Sequence, residues 1–317
     1  MTNHVPFVLM SFMVIGKETE KVQSQKSFAK DQASGTLYLV PTPIGNLGDM
    51  TFRAVEILKE VDIIASEDTR NTQKLLNHFE IETKQISFHE YNTHERVPEL
   101  VERLKNGETI AQVSDAGMPS ISDPGHDLVV ACIKQGITVV PLPGANAGLT
   151  ALIASGLEPQ PFYFFGFLNR KPVEQKRQLE KLVNKEETLI FYEAPHRLKK
   201  TLTNMSSILG KDRSAVLCRE LTKKFEEFLR GTLAELLEWA NDNEIRGEFV
   251  VIVEGNSHAV QPGEQLPEIP IEDQINNLIS AGEKPTAAIK KVAKLRGLKK
   301  QDVYALYHHL NDKDQPD

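Results

Sequence analysis

Cysteine is scarce in this chain, which has only Cys132 and Cys218 among its 317 residues. Both lie in apolar runs, and neither belongs to a CxxC pair or has a histidine at ligand spacing. The nine histidines also lack cysteine or carboxylate partners at the spacings typical of metal sites. We therefore predict two buried free thiols, a reducing cytoplasmic compartment, and no metal site.

No hydrophobic run is long enough for a transmembrane helix. The apolar stretch over residues 5–15 is shorter than the roughly 20 residues that a bilayer requires. Neither Lys nor Arg precedes it and no small-residue cleavage site follows it, so it lacks the pattern of a secretory signal. We predict no membrane association and interpret residues 1–34 as a disordered or mis-started extension, with translation beginning near Val22.

An excess of positive charge is absent as well, because the formal net charge is −7. This balance argues against a protein that coats nucleic acid through a general positive field, but it is compatible with a local basic patch. Hydrophobic residues make up 40% and charged residues 26%, as in soluble globular proteins. The length suits two modest domains with an appendage.

From residue 36 onward, short apolar runs alternate with amphipathic segments. This alternation predicts an α/β fold whose first sheet is mainly parallel and covered on both faces. A proline-rich step at residues 156–161 marks a domain boundary, and consecutive strands around residues 219–227 indicate a hairpin in a mixed second sheet. The predicted domains are residues 35–157 (first α/β domain), 158–256 (second α/β domain), 257–270 (linker) and 271–317 (small helical tail).

Three loops rich in glycine, proline or small residues follow predicted strands of the first domain, at residues 41–49, 114–125 and 141–147. The carboxyl ends of parallel strands meet at one edge of a sheet, where open α/β folds bind ligands. Glycine lets the backbone approach a ligand closely, and proline limits the freedom of the loop. Because the first loop lacks the G-x-G-x-x-G pattern, a dinucleotide oxidoreductase is disfavoured. The loops indicate a different nucleoside-like ligand.

Polar side chains at the same strand ends are candidates for chemistry. Asp115 is placed to bind a ribose or an ammonium group, although a turn-capping aspartate would show the same pattern. Residues 67–70, Glu-Asp-Thr-Arg, offer a carboxylate and a phosphate-pairing arginine, or else a helix cap with a surface ion pair. His89 and the group of Glu193, His196 and Arg197 follow other strands, and these patterns do not identify a proton acceptor.

Seven sequence strings carry a specific resemblance. They are LVPTPIGNLGDMTFRAVEIL, ASEDTR, VSDAGMPSISDPG, VVPLPG, IFYEAPHRL, LCRELTK and GEFVVIVEG. In this order they are similar to the tetrapyrrole methylase superfamily, and more narrowly to its branch of bacterial 2′-O-methyltransferases that modify a cytidine in the decoding centre of 16S ribosomal RNA. The similarity runs from about residue 35 to residue 310.

The resemblance implies a two-domain tetrapyrrole-methylase-like fold with S-adenosylmethionine in the cleft between its α/β domains, commonly in a homodimer. It implies 16S rRNA or the small ribosomal subunit as the partner. Because a ribose hydroxyl is a poor nucleophile, a nearby proton acceptor is expected to assist. The implied cofactor contacts are Pro43, Ile44, Gly45, Asp115, Ala116, Gly117, Ser120, Ile121, Tyr192, Leu221 and Gly247. The catalytic candidates are Glu67, Asp68, Arg70 and His89.

Basic residues crowd the tail, where two apolar repeats of helical spacing are joined at residues 296–298. Such a charge run is often only a solvated face. In an otherwise acidic chain, however, a basic pair of helices suits the phosphate backbone of RNA, and the resemblance includes this segment. The predicted RNA-binding residues are Lys290, Lys291, Lys294, Arg296, Lys299 and Lys300.

Two other function classes remain open at this point. One is a tetrapyrrole C-methyltransferase or a diphthine-type methylase of the same superfamily, which would share the cofactor cleft without requiring the basic tail. The other is a ribosome-assembly factor that binds RNA and uses the cofactor only structurally.

Overall fold

The first of two sheets is wholly parallel. The computed structural model describes residues 22–27, 34–257, 270–280 and 282–308. Within them, the first sheet has the strand order β3-β2-β4-β1-β5, with every neighbouring pair parallel. Its strands are β1 Thr36–Leu39, β2 Ile63–Ser66, β3 Gln85–Ser87, β4 Ile110–Val113 and β5 Thr138–Pro141. The prediction of a parallel first sheet is confirmed.

Four helices cover the two faces of this sheet. They are α1 Phe52–Glu60, α2 Thr69–His78, α3 Thr93–Lys105 and α4 His126–Lys134. Leu58 of α1 and Leu76 of α2 pack in the core of one face, and Leu104 of α3 and Leu128 of α4 pack in that of the other. Because both faces are buried, the strands are continuously apolar rather than alternating, which is why they stand out in the sequence.

The second sheet is mixed. Its order is β6-β7-β10-β8-β9, with β6 parallel to β7 and the remaining pairs antiparallel. Its strands are β6 Phe162–Phe167, β7 Thr188–Glu193, β8 Ser214–Arg219, β9 Glu227–Thr232 and β10 Phe249–Val253. The antiparallel pair of β8 and β9 is the hairpin that the sequence predicts.

The helix that follows the first sheet covers one face of the second sheet. This helix, α5 Ala147–Ser155, follows β5, and its Ala151 and Leu152 pack against Ile190 and Val216 of the second sheet. The opposite face carries α6 Pro172–Glu180, α7 Pro195–Leu209 and α8 Leu233–Asp242. Through α5, the two sheets belong to one compact unit that ends at Ser257.

The residues after 257 form a second unit. It contains three helices in the described part, α9 Ile271–Ser280, α10 Pro285–Arg296 and α11 Lys300–Tyr307. Ile275, Ile289 and Val303 lie in its core. The pair α10 and α11 and the turn at Gly297 match the two predicted apolar repeats, and α9 is a third helix within the predicted helical tail.

Several sequence expectations fall on residues that the structure does not describe. They concern most of the linker 257–270 and most of the extension 1–34. The described piece of the extension, residues 22–27, lies along the edge strand β5, where the Gln25 side-chain amide donates to the Val139 carbonyl (2.8 Å) and accepts from its N–H (2.9 Å). No helix in the described residues is long and apolar enough to cross a membrane.

Candidate functional site

Two of the predicted loops are fastened together at the carboxyl edge of the first sheet. Thr42, after β1, and Gly117, after β4, exchange two backbone hydrogen bonds of 3.0 and 2.9 Å. The Thr42 hydroxyl also donates to the Ser114 carbonyl at 3.0 Å. β1 and β4 are neighbours in the sheet, so their loops leave side by side and form one continuous wall.

The buried amide of Gln112, on β4, holds the second loop from below. Its Nε2 donates to the Ser120 hydroxyl (3.2 Å) and to the Pro124 carbonyl (3.0 Å). Gly125 closes the loop with φ +140°, and a Cβ there would come within 1.7 Å of Gln112 Nε2. Sequence reasoning missed Gln112, although a polar residue inside an apolar strand is a detectable signal.

A cavity of about 560 Å³ lies between this wall and the second sheet. Its volume is within the range of small-molecule and cofactor pockets. Buried side chains of the second sheet and of the loop after β8 form the floor: Cys218, Leu221 and Val250. The exposed rim carries Ile121, from the loop after β4, and Phe167, from the end of β6. The cavity therefore has an apolar floor and is built by both sheets.

The structure brings most of the predicted cofactor residues to this cavity. The lining includes Ile44, Asp115, Ala116, Gly117, Ile121, Tyr192 and Leu221. Pro43, Gly45, Ser120 and Gly247 do not line it. Gly45 packs against the Lys223 side chain, since a Cβ would meet Lys223 Cγ at 2.4 Å, and a Cβ on Gly247 would meet Glu220 Cγ at 2.5 Å. The lack of a side chain at both glycines lets these neighbouring side chains approach closely, and their contact with the cofactor stays a prediction.

Only one of the four catalytic candidates reaches the cavity. Glu67 lines it, and its Oε2 accepts from the Asp115 N–H at 3.2 Å. Asp68 instead caps α2 by accepting from the Arg70 N–H (2.9 Å), and it pairs with the Arg70 guanidinium (2.8 Å). Arg70 is exposed, and His89 follows β3, which β2 and β4 separate from β1 in the sheet. Their catalytic assignment stays a prediction.

The cavity is acidic on the side of the first sheet, where Glu67, Asp115 and Asp123 line it. Burial raises the pKa of Glu67 above its ordinary value, and the neighbouring carboxylates Asp123 and Asp115 raise it further. Burial also raises the pKa of Asp123, with a smaller contribution from Asp115. Among the described residues, no group of three such side chains is arranged to hold a metal ion. The negative charge of these three carboxylates favours a cationic ligand on this side of the cavity.

Residues 192–196, Tyr-Glu-Ala-Pro-His, form the wall of the cavity opposite the loops of the first sheet. The Tyr192 hydroxyl accepts from the Gly148 N–H at 3.1 Å, which joins β7 to the start of α5. The buried carboxylate of Glu193 accepts from the Thr201 hydroxyl (2.5 Å), from the Ala194 N–H (2.9 Å) and pairs with Arg197 at 3.3 Å. These bonds fix the turn between β7 and α7, whose residues 194–196 line the cavity.

The predicted RNA-binding residues lie on α10, α11 and their connection. Lys290, Lys299 and Lys300 are exposed. Lys291 is exposed but pairs with Glu283, and the Arg296 Nε donates to Gln274 Oε1 at 2.9 Å. The side chain of Lys294 lies outside the described part of the structure. The helical tail thus presents a basic surface, while Lys291 and Arg296 of α10 also bind the connection before α10 and α9, respectively.

The model of the tetrapyrrole (corrin/porphyrin) methylases matches residues 36–237, which is more than half of the chain. This chain belongs to the tetrapyrrole methylase family. Membership confirms the methyltransferase class and the cofactor predicted from the sequence, S-adenosylmethionine. The match covers the first sheet and the strands β6 to β9 of the second sheet, and it ends within α8, before β10.

Close relatives of this tetrapyrrole methylase carry a more specific name. The chain is 55% identical over 289 residues to "Ribosomal RNA small subunit methyltransferase I" of Streptococcus pyogenes serotype M3 (strain ATCC BAA-595 / MGAS315), covering 91% of this chain and all of that protein. It is 54% identical to the protein of the same name from Bacillus subtilis (strain 168), covering 90% of this chain and 99% of the relative.

Solved structures of other methylases share the fold. Cobalt precorrin-4 methyltransferase aligns with a TM-score of 0.54 at 18% identity, covering 69% of this chain and 94% of its own. Uroporphyrin-III C-methyltransferase from Thermus thermophilus, complexed with S-adenosylhomocysteine, aligns at 0.51 and 16% identity, covering 69% of this chain and 97% of its own. These likenesses confirm the predicted two-sheet α/β architecture.

Proposed function

We propose that this methylase transfers a methyl group from S-adenosylmethionine to the 2′-hydroxyl of a cytidine ribose in the decoding centre of 16S ribosomal RNA. The observation that carries the proposal is the 55% identity to a relative named as a ribosomal RNA small subunit methyltransferase, over the whole of that relative. The distant C-methylases match this chain at only 18% or less. The basic tail is consistent with an RNA substrate.

The wall chemistry fits the cofactor. The apolar floor suits an adenine ring and methylene groups, and the carboxylates of Glu67, Asp115 and Asp123 suit a sulfonium and an ammonium group. We expect the loop backbone at residues 115–117 and the side chains of Ile44 and Leu221 to hold it. When bound, S-adenosylmethionine supplies an electrophilic methyl group.

We assign the proton-accepting role to Glu67. It is the one catalytic candidate from the sequence that lines the cavity, and its raised pKa makes it a better base than an exposed carboxylate. The bond from the Asp115 N–H holds one carboxylate oxygen and leaves the other to accept the proton of the ribose hydroxyl. Most of the remaining acceleration would come from positioning the two reactants.

The reaction itself is tested by product analysis. Purified protein is incubated with methyl-labelled S-adenosylmethionine and small ribosomal subunits from a strain that lacks the related enzyme, and the RNA is digested to nucleosides. We expect label in 2′-O-methylcytidine. Label on a base would overturn the ribose assignment. Label on an added tetrapyrrole alone would favour a C-methylase, and no transfer at all would favour a non-catalytic assembly factor.

The role of the tail is tested by charge reversal. Replacing Lys290, Lys291 and Lys294 together by Glu should weaken RNA binding and reduce the slope of log affinity against log salt by about 2 to 3, because each phosphate contact contributes about 0.7 to 0.9. The cofactor affinity should not change, since the cavity lies in the other unit. Binding is measured by filter retention of small subunits at several salt concentrations.

A matched control reverses three exposed lysines elsewhere. Lys59, Lys105 and Lys134 end α1, α3 and α4, at the edge of the first sheet opposite the cavity. Their replacement by Glu makes the same change in net charge. If both triple variants lose RNA affinity equally, or neither does, the tail has no specific part in RNA binding.

We also propose that the protein works in the cytoplasm, where its ribosomal substrate is found, and that it forms a homodimer as the family resemblance implies. Light scattering of the purified protein tests the second point, and a monomer at micromolar concentration would contradict it.

A further inference from the structure

A β-bulge changes the direction of one aromatic side chain at the rim of the cavity. In the parallel pairing of β6 with β7, Phe164 is opposite Ile190, but the register then shifts and Gly166 is opposite Phe191. Phe167 is consequently opposite Tyr192. Without the extra residue, side chains alternate, and Phe167 would lie on the face opposite to Phe164. The bulge puts both on the same face.

The two faces of the second sheet have different functions. Phe165 and Phe191 belong to the core under α6, α7 and α8. Phe164 and Tyr192 belong to the face covered by α5, which continues into the cavity. The shift in register therefore takes Phe167 out of the closed core and places it on the cavity face. Bulges next to active sites commonly redirect a side chain in this way.

The side chain of Phe167 lies at the surface rather than in the core. It is 54% exposed, although it lines the cavity. Its ring makes a T-shaped contact with the Tyr192 ring, with centroids 5.5 Å apart, and Tyr192 is itself held by Phe164 (5.1 Å) and by the Gly148 N–H (3.1 Å). One side of the Phe167 ring thus packs against the Tyr192 ring, and more than half of the Phe167 surface faces solvent.

We propose that Phe167 is the stacking platform for the base of the target nucleotide, an inference that rests on the function proposed above. A ribose that reaches a cavity between two sheets must leave its helical stack, and its base then needs a new partner. Aromatic side chains fill this need for single-stranded nucleic acids, because every base has a π-face. The substrate is therefore an unpaired nucleotide whose base lies at the rim while its sugar enters.

Stacking is tested by kinetics with small ribosomal subunits that lack the methyl group. Phe167→Ala should raise the KM for subunits about 5- to 100-fold, the range of a lost base–aromatic stack, with a smaller change in kcat. Phe167→Leu, which keeps an apolar side chain without a π-face, should resemble Phe167→Ala. Phe167→Tyr and Phe167→Trp should restore the wild-type KM. The matched control is Phe225→Ala, another exposed phenylalanine (67%) outside the cavity lining.

Two further measurements separate the possible failures. Calorimetry should give the same affinity for S-adenosylmethionine in the wild type and in Phe167→Ala. A weaker affinity in the variant would mean that the Phe167 ring contacts the cofactor rather than the base, and this result would overturn the proposal. In the Phe167→Trp, Trp239→Phe variant, which has a single tryptophan, subunits should quench the fluorescence. An unchanged KM in Phe167→Ala, with active wild type, refutes the stacking role. Inactive wild type refutes the proposed function itself.

Discussion

Replacing Gly125 by Ala should destabilise the protein strongly, because the site combines two separate penalties. The first is backbone strain, since φ is +140° at this position, and such strain costs about 1–3 kcal/mol. The second is steric: the new Cβ would lie 1.7 Å from Gln112 Nε2 and 2.5 Å from the Ser120 hydroxyl. Gln112 is only 1% exposed and has no solvent to move into.

The steric penalty follows from the hydrogen bonds that Gln112 would lose. Its amide would have to give up the Pro124 carbonyl and the Ser120 hydroxyl, and each buried group left unsatisfied costs about 1–3 kcal/mol. Together with the backbone strain, the total is about 3–9 kcal/mol, a large part of the 5–15 kcal/mol that stabilises a typical domain. Because the loop lines the cavity, the affinity for S-adenosylmethionine should fall as well.

Urea unfolding followed by circular dichroism measures the effect, with Gly136→Ala as the control. Gly136 also has a positive φ, +70°, but its Cβ position has open space among the described residues. That variant should cost only about 1–2 kcal/mol. In a Gln112→Ala background the clash with the Gln112 amide disappears and the contact with the Ser120 hydroxyl remains, so the double-mutant coupling should be about 2 kcal/mol or more. Equal losses in Gly125→Ala and Gly136→Ala, or no coupling, would refute the reasoning.

Two more predictions concern buried charge. Glu193→Ala should lower the free energy of unfolding by about 3–5 kcal/mol, because it breaks a buried ion pair, whereas Arg246→Ala, which breaks an exposed pair with Glu244, should cost less than about 1 kcal/mol; urea titrations of both variants check this. The raised pKa values of Glu67 and Asp123 mean that the folded chain holds these protons more tightly than the unfolded chain, so their contribution to stability should rise as pH falls from the raised pKa toward the ordinary one. As pH falls over the same range, the affinity for the cationic cofactor S-adenosylmethionine should fall more than the affinity for S-adenosylhomocysteine. Calorimetry at several pH values measures both affinities, and an equal pH dependence of the two would contradict an electrostatic role of Glu67 and Asp123 in cofactor binding.

Local signals in the sequence were sufficient for the elements that carry them. The strands of the first sheet are short apolar runs, and α1 is preceded by Thr51, a residue type that favours the N-cap position, whose hydroxyl accepts from the Ala54 N–H. The location of the cavity also followed from sequence, because parallel strand ends meet at one edge whatever the strand order. These inferences need only neighbouring residues and a topological rule.

Long-range pairing is what the sequence did not reveal. Nothing local shows that α5 covers the second sheet, because its apolar residues would fit either sheet equally well. The bulge at Gly166 depends on the partner strand β7, and the run FYFFGF reads as a plain strand. Likewise, Glu67 and Asp68 are adjacent in sequence, and only the cap of α2 decides which one faces the cavity.

A crystal structure with S-adenosylhomocysteine and a cytidine-containing oligonucleotide would show whether the cavity holds the cofactor against a ribose of RNA. We expect density for S-adenosylhomocysteine above the floor residues Leu221 and Val250, with the 2′-oxygen of a cytidine ribose directed at the sulfur and within hydrogen-bonding distance of Glu67. Density for the product at another place on the protein, or an empty cavity at saturating concentrations, would contradict it.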